Sequence, residues 1–348
     1  LLRSIRGESE GAGTGQAVAA VGDVDGDGAS DLAVSAPWGD LPVLDFVSGK
    51  AGKRIGRLEN AEAESWADEI CTLGDGSGAS RVDIVFRRED ERVWCFVSSK
   101  DRKVGQTIPD RAGFVSQACS TGDVDGDGVP DVAIANRRAT IDGKEDAGAI
   151  HVFSGKYLRS GSGVALIRTW GGTRAGQRLG LLFAAAGDWN GDGCADLMVI
   201  VRDGKSDGDL TARLRVLSGK DGTVVWEREQ PRDAESWGAG GLALCGDVDG
   251  DGKRDVALGV RDLEDERMRV VVLSAKDGTV LWTAVDPGKR DMGDGIVCVP
   301  DTNGDGVQDL LVTIARSGVA LDLSADAARF LSGKDGKTLR DFDPTKTK

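Results

Sequence analysis

At 348 residues, 40% of them hydrophobic and 29% charged, the chain can bury a substantial core as one large all-β domain or two smaller ones. Fifty-one glycines against eight prolines imply many tight turns, and because those glycines follow no three-residue period they exclude a collagen-type helix. A formal charge of −14 argues against nucleic acid as a partner and suits divalent cations, and no apolar run is long enough to span a membrane.

The chain opens without a methionine, and residues 1–7 read as an extra outer strand resembling the later Thr338-Leu-Arg-Asp-Phe-Asp; the expectation is a monomeric domain cut from a longer protein. That strand either closes a ring on the last repeat, displacing the C-terminal copy, or belongs to a neighbouring module.

Aspartate-rich nonapeptides then follow at Asp23 (DVDGDGASD), Asp123 (DVDGDGVPD), Asp188 (DWNGDGCAD), Asp247 (DVDGDGKRD) and Asp301 (DTNGDGVQD). A decayed copy, DGSGASRVD, starts at Asp75. Each is followed by a lysine-ended turn, at Lys50, Lys100, Lys156, Lys220, Lys276 and Lys334. Two independent markers thus count six units, each about as long as a four-stranded propeller blade.

Within a unit, small apolar residues precede the Asp cluster, as in Ala17 to Val21 (strand A). A β-branched run such as Asp255-Val-Ala-Leu-Gly-Val follows it (strand B), and another such as Arg269-Val-Val-Val-Leu leads to the lysine turn (strand C). Asp-Gly at 221 and 222, 277 and 278, and 335 and 336 reverses the chain into strand D, as in Thr279-Val-Leu-Trp. This predicts an all-β β-propeller of six four-stranded antiparallel blades, approximately 8–60, 61–110, 111–172, 173–231, 232–287 and 288–345, in a single domain over 1–348. Seven blades, or part of a longer array, is the alternative. Trp226 and Trp282 at matching places on strand D are expected to pack between blades.

Positions 1, 3, 5 and 9 of the nonapeptide carry side-chain oxygens, position 7 offers a carbonyl, and glycines at 4 and 6 let the loop curl round an ion. The expected Ca²⁺ ligands are Asp23, Asp25, Asp27, Ala29 and Asp31; Asp123, Asp125, Asp127, Val129 and Asp131; and Asp188, Asn190, Asp192, Cys194 and Asp196. The last two loops supply Asp247, Asp249, Asp251, Lys253 and Asp255, then Asp301, Asn303, Asp305, Val307 and Asp309. Position 12 is Val34, Ile134, Val199, Leu258 or Val312 where an EF-hand needs Glu, so that motif fails. About five structural ions are expected, and five would bring the charge from −14 to −4. Blade two, with Ser77 and Ala79 at positions 3 and 5, should bind none; Arg81 is a candidate for the missing positive charge, or an exposed turn arginine.

These loops, with Asp31-Leu-Ala-Val-Ser-Ala-Pro after the first and Trp237-Gly238 in the place of a Phe-Gly, resemble the FG-GAP repeat of integrin α-subunit propellers and the VCBS-type repeats of bacterial secreted and surface proteins. The resemblance implies structural calcium, an extracellular, cell-surface or periplasmic setting, and adhesion, recognition or scaffolding. It departs from the integrin pattern in the decayed second loop and in having six units.

On the face opposite the acidic loops, Arg87, Arg137, Arg202, Arg261 and Arg316 follow strand B, with Trp38 in blade one. They suit an acidic glycan or a protein ligand, or pair with nearby acids such as Asp203 and Asp262. Six cysteines without a CxxC pair read as buried thiols, with a Cys71–Cys119 disulfide possible. One histidine, His151, and one tyrosine, Tyr157, leave little for acid–base chemistry, so a non-enzymatic role is expected over a polysaccharide lyase or a quinoprotein-like dehydrogenase.

Overall fold

The structure, a computed structural model, describes residues 5, 7–9, 11–38, 40–59, 66–74, 82–88, 91–99, 101–109, 117–202, 211–231, 235–315 and 327–342. The fold is all-β: six blades, each a sheet of four antiparallel strands in chain order, arranged as a β-propeller. Blade one holds β1 (Val18–Gly22), β2 (Asp31–Ala36), β3 (Val43–Val47) and β4 (Arg54–Glu59), and blade two β5 (Trp66–Gly74), β6 (Val82–Arg88), β7 (Val93–Ser98) and β8 (Lys103–Pro109). Blade three holds β9 (Gln117–Gly122), β10 (Asp131–Asn136), β11 (Ala149–Phe153) and β12 (Leu166–Gly171), and blade four β13 (Leu182–Gly187), β14 (Asp196–Arg202), β15 (Ala212–Leu217) and β16 (Val224–Glu229). Blade five holds β17 (Glu235–Leu244), β18 (Val256–Asp262), β19 (Met268–Leu273) and β20 (Val280–Ala284), and blade six β21 (Asp291–Val299), β22 (Asp309–Ala315), β23 (Ala327–Leu331) and β24 (Thr338–Phe342).

Two compact units divide the chain. One comprises Leu1–Gly180, Gly187–Leu197 and Ser218–Thr223; the other comprises Leu181–Ala186, Met198–Leu217 and Val224–Lys348.

In the first unit the core lies between blades: Val21, Ala33, Leu44 and Phe46 meet Ile84, Phe86, Cys95 and Val97, and the far face of blade two (Leu73, Trp94, Phe96, Ile108) meets Val132 and Ile134. Strands B and C sit mid-sheet with neighbours on both faces, which is why β10 is buried along its whole length and reads as a continuous apolar run. Strand D is the outer edge and accordingly polar, as in Arg54-Ile-Gly-Arg-Leu-Glu. It also leans on the lysine turn of the next blade: Arg168 Nε and Nη2 donate to the carbonyls of Gly219 (2.9 Å) and Lys220 (2.5 Å).

In the second unit, Val270, Val272 and Ala257 of blade five pack against Met292, Leu310, Val312 and Ile314 of blade six. Trp282 lies in this packing as expected, its Nε1 donating to Gly333 O at 2.8 Å. Strand A carries a bulge here, with pairing interrupted between Trp237 and Leu242 and between Met292 and Ile296. The residues after the aromatic or Met, Gly238 and Gly293, take φ of 85° and 100°, a region glycine enters freely. In blade two the equivalent residue is Ala67, held at φ 59° and fully buried.

Two expectations change. Strand β24 pairs with β23 in blade six, so the C-terminal copy keeps its place and is not displaced by an N-terminal strand. Residues 1–4 and 6, and so most of the proposed extra strand, lie outside the described residues. In blade three the lysine turn continues into a short helix, α1 (Gly155–Ser160), which stops at Gly161 with φ 70°; the helix-compatible Lys-Tyr-Leu-Arg stands in place of the Asp-Gly reversal of blades four to six.

Candidate metal centres

Each acidic loop is folded by its own carboxylates. Asp23 accepts the N–H groups of Gly26 (2.7 Å) and Asp27 (3.0 Å) on one oxygen and that of Gly28 (2.9 Å) on the other. Asp25 accepts from Asp27 N–H at 3.1 Å, and Asp27 from the N–H of Ala29 at 3.0 Å. The pattern recurs with Asp123, Asp188, Asp247 and Asp301 at position 1, and Val129, Cys194, Lys253 and Val307 donate at position 7 as Ala29 does.

The result is convergence of positions 1, 3 and 5. In Asp23, Asp25 and Asp27, in Asp123, Asp125 and Asp127, and in Asp247, Asp249 and Asp251, one oxygen of each carboxylate lies within 4.8 Å of the other two. In the fourth and sixth blades position 3 is an amide: Asn190 and Asn303 donate to the position-5 carboxylates of Asp192 (3.0 Å) and Asp305 (2.9 Å). Their carbonyl oxygens accept the N–H of the same residues, at 3.0 and 2.8 Å.

Position 9 does something different. Asp31, Asp131, Asp196, Asp255 and Asp309 are all at 0% exposure. One oxygen accepts the N–H of position 2, as Asp255 does from Val248 at 2.7 Å; the other accepts an N–H from the lysine turn, as from Ala275 at 2.9 Å. The corresponding turn bonds come from Gly49, Gly155, Gly219 and Gly333. The position-9 aspartate therefore ties the A–B loop to the C–D turn.

That tie explains the second sequence marker, which the sequence showed only as a regularity. A side chain at Gly49, Gly155, Gly219 or Gly333 would place its Cβ 1.8–1.9 Å from the carbonyl of loop position 8, so in these four blades the close approach of two backbones leaves room for glycine alone, while blades five and two carry Ala275 and Ser99 at this place. The serine before it reaches position 5, with Ser48 Oγ donating to Asp27 (3.2 Å) and Ser332 Oγ to Asp305 (3.0 Å). The lysine after it also reaches position 5: Lys50 Nζ donates to Asp27 O at 2.7 Å and Lys220 Nζ to Asp192 O at 3.2 Å, while Lys156 Nζ lies 3.6 Å from Asp127 Oδ2.

Blade two shows what replaces a loop. Residues 75–81, including Arg81, lie outside the described residues, but Asp83 is placed. It keeps its turn bond from Ser99 N–H (2.9 Å), and its other oxygen accepts Arg159 Nε from α1 at 2.9 Å. Arg159 Nη2 caps the carbonyls of Leu73 (3.1 Å) and Gly74. Among the described residues, a guanidinium is thus the partner of the oxygen that accepts a loop N–H in the other blades.

Burial pushes the Asp131 carboxyl up to about 7, against its two backbone N–H bonds, and raises Asp196 and Asp255 for the same reason. Asp125 is raised by burial and by the neighbouring Asp127 charge. In blade six, by contrast, backbone N–H groups hold Asp301 and Asp305 below the usual carboxylate range. Carboxylates whose oxygens face one another, as Asp125 faces Asp123 and Asp127, are relieved by a cation, and an all-oxygen donor set suits a hard divalent ion.

Elsewhere the candidate residues are committed to structure. Arg261 Nη1 donates to Glu266 O at 2.5 Å; Arg87, Arg137 and Arg202 are also engaged, and Arg316 lies outside the described residues. All six cysteines are free thiols, with burial raising Cys71 to about 12 and Cys298 to about 11. His151 Nδ1 is hydrogen-bonded to Thr169 Oγ1 at 2.9 Å.

The FG-GAP repeat profile matches residues 14–53 and 114–153, strands A to C with their acidic loops in blades one and three. The chain carries FG-GAP repeats. In blades four, five and six of this FG-GAP propeller the same loop is recognisable by its hydrogen bonds. No curated protein is similar in sequence. Among solved structures, the Myceliophteria thermophila Cps50 (Swd1) β-propeller domain aligns with TM-score 0.58 at 9% identity, over 99% of this chain and 89% of that one. Kuenenia stuttgartiensis hydrazine synthase aligns with TM-score 0.49 at 12% identity, over 88% and 74%. At such identities the first likeness is one of fold alone. Among the described residues no helix is long and apolar enough to cross a membrane.

Proposed function

We propose that this FG-GAP propeller is a non-catalytic, calcium-binding module of an extracellular, cell-surface or periplasmic protein, serving adhesion, recognition or scaffolding. The observation that carries the reading is the repetition of one loop geometry in five blades, with positions 1, 3 and 5 converging in three and an amide replacing one carboxylate in two. Each loop offers side-chain oxygens at positions 1, 3, 5 and 9, together with the position-7 carbonyl, as calcium ligands. The ion's part is to neutralise carboxylates that would otherwise repel one another; the protein's part is the backbone cage that holds them in place. Millimolar calcium outside the cytoplasm fills loops of modest affinity, which supports the extracytoplasmic setting.

Native mass spectrometry over a calcium titration tests this. Five ions per chain are expected, with blades one, three and five filling before blades four and six. A chain that takes up no calcium at millimolar concentration contradicts the reading.

A further inference from the structure

We infer that Lys50, Lys156 and Lys220 are built-in counter-cations of their acidic loops, holding the loops together when no divalent ion is bound and setting their calcium affinity by electrostatic competition. The inference rests on the calcium reading above and concerns how those sites are tuned.

Three lysines in equivalent turns place their ammonium groups on the same position of three different loops, at Asp27 O (2.7 Å), Asp127 Oδ2 (3.6 Å) and Asp192 O (3.2 Å). None of these turns needs the lysine to form, because the turn is closed by backbone bonds such as Gly52 N–H to Ser48 O (2.7 Å) and Gly222 N–H to Ser218 O (2.9 Å). The loops do not need it for shape either, since backbone N–H groups already hold the position-1 carboxylates in place. What the ammonium supplies is charge. In blade one it docks on the backbone of a loop that carries Asp23, Asp25, Asp27 and Asp31, a formal −4; a bound divalent ion halves that and so weakens the lysine's attraction. A group that stabilises the empty loop more than the filled one must, by linkage, lower the affinity for the ion. Blade two takes the same logic further: Arg159 pairs with Asp83 in a blade whose loop has lost its ligands.

The lysine amine therefore acts in opposite directions on two measurable quantities, whereas a merely structural tether would lower both when removed. The test compares the wild-type chain with Lys50→Met, Lys220→Met and the triple Lys50→Met/Lys156→Met/Lys220→Met, with Lys→Arg at the same positions as the charge-keeping control. Calcium binding is measured by isothermal titration, and melting in chelator and in saturating calcium.

The expected result is a lower melting midpoint in chelator, little change in saturating calcium, and calcium affinity at the altered loops raised about three- to tenfold, the effect of one charge several ångströms from the ion in a high effective dielectric. The Arg variants should behave as wild type. Unchanged or weakened affinity in a folded Met variant overturns the inference while leaving the calcium sites standing. A wild-type chain that binds no calcium removes both. If the triple variant does not fold in chelator, the single variants decide by the same criteria.

Discussion

In blades one, three and five the aspartates at positions 3 and 9 share a residue type and differ in burial, and the difference gives position 9 a structural task that position 3 lacks. Asp249 is exposed and faces Asp247 and Asp251, whereas Asp255 is fully buried and accepts the N–H groups of Val248 and Ala275. Asp255→Ala orphans one buried and one half-buried N–H donor and should cost about 3 kcal/mol even in chelator. Asp249→Ala should leave the melting point in chelator almost unchanged and abolish the calcium response of that loop. Paired melts of the two variants check this, and equal losses in chelator would contradict it. The sequence made both residues look like ligands; that a strand end also draws the second into the core was not legible in a pattern of side-chain oxygens. A second residue-scale case is Arg329 in blade six, whose side chain is 6% exposed and pairs with Asp341 (2.6 Å) and Asp286 (3.0 Å). The hydrogen bond from Arg329 holds the Asp341 carboxyl below its usual range. That stabilisation is present above the carboxylate's unfolded value and lost as pH falls through the lower folded value. Arg329→Met should cost about 3 kcal/mol near neutrality, and the gap to wild type in denaturant melts should narrow as pH falls through the lowered carboxylate range. A gap constant with pH would refute the assignment.

At the scale of the element, strands B, C and D were legible because their hydrophobic content follows their depth in the sheet. β18 and β19 lie inside and read as apolar runs, while β16 and β24 lie at the edge and read as polar. The bulges of strand A were not legible as such, since the unpaired residues between Trp237 and Leu242 look like any small-residue strand. Their marker is the left-handed residue that follows the bulky one, and blade two shows its cost. Ala67 is held at φ 59° in a fully buried site where Gly238 and Gly293 occupy the equivalent place. Ala67→Gly should therefore stabilise the protein by a few tenths to about 1 kcal/mol, relief of the left-handed strain being partly offset by glycine's extra unfolded-state entropy. Chemical denaturation reads this directly, and a loss of stability would show that the Ala67 methyl packs better than its backbone is strained. The short helix α1 escaped the sequence reading because the repeat imposed an expectation of a hairpin, which Lys156 to Arg159 override with local helix propensity.

For the molecule as a whole, two sequence markers that recur six times turn out to be the two halves of one joint in each blade. The acidic loop and the lysine turn meet through a position-9 aspartate in all five intact copies, and through Asp83 and Ser99 in blade two. The count of blades was legible because both halves of that joint are spelled out in sequence, and the joint itself was not, because the donor that each position-9 carboxylate meets in the turn is a backbone N–H, which no residue type announces. A chain carrying a formal charge of −14, with its acids gathered at such joints, should depend on cations for its stability. The measurement that addresses this most directly is a thermal melt of the intact chain in excess calcium and again in chelator at the same ionic strength. At one hundred times the dissociation constant each filled site adds about 2.7 kcal/mol, so several sites together should raise the midpoint by about 10 °C or more. Coincident melting curves in the two conditions would contradict the calcium account.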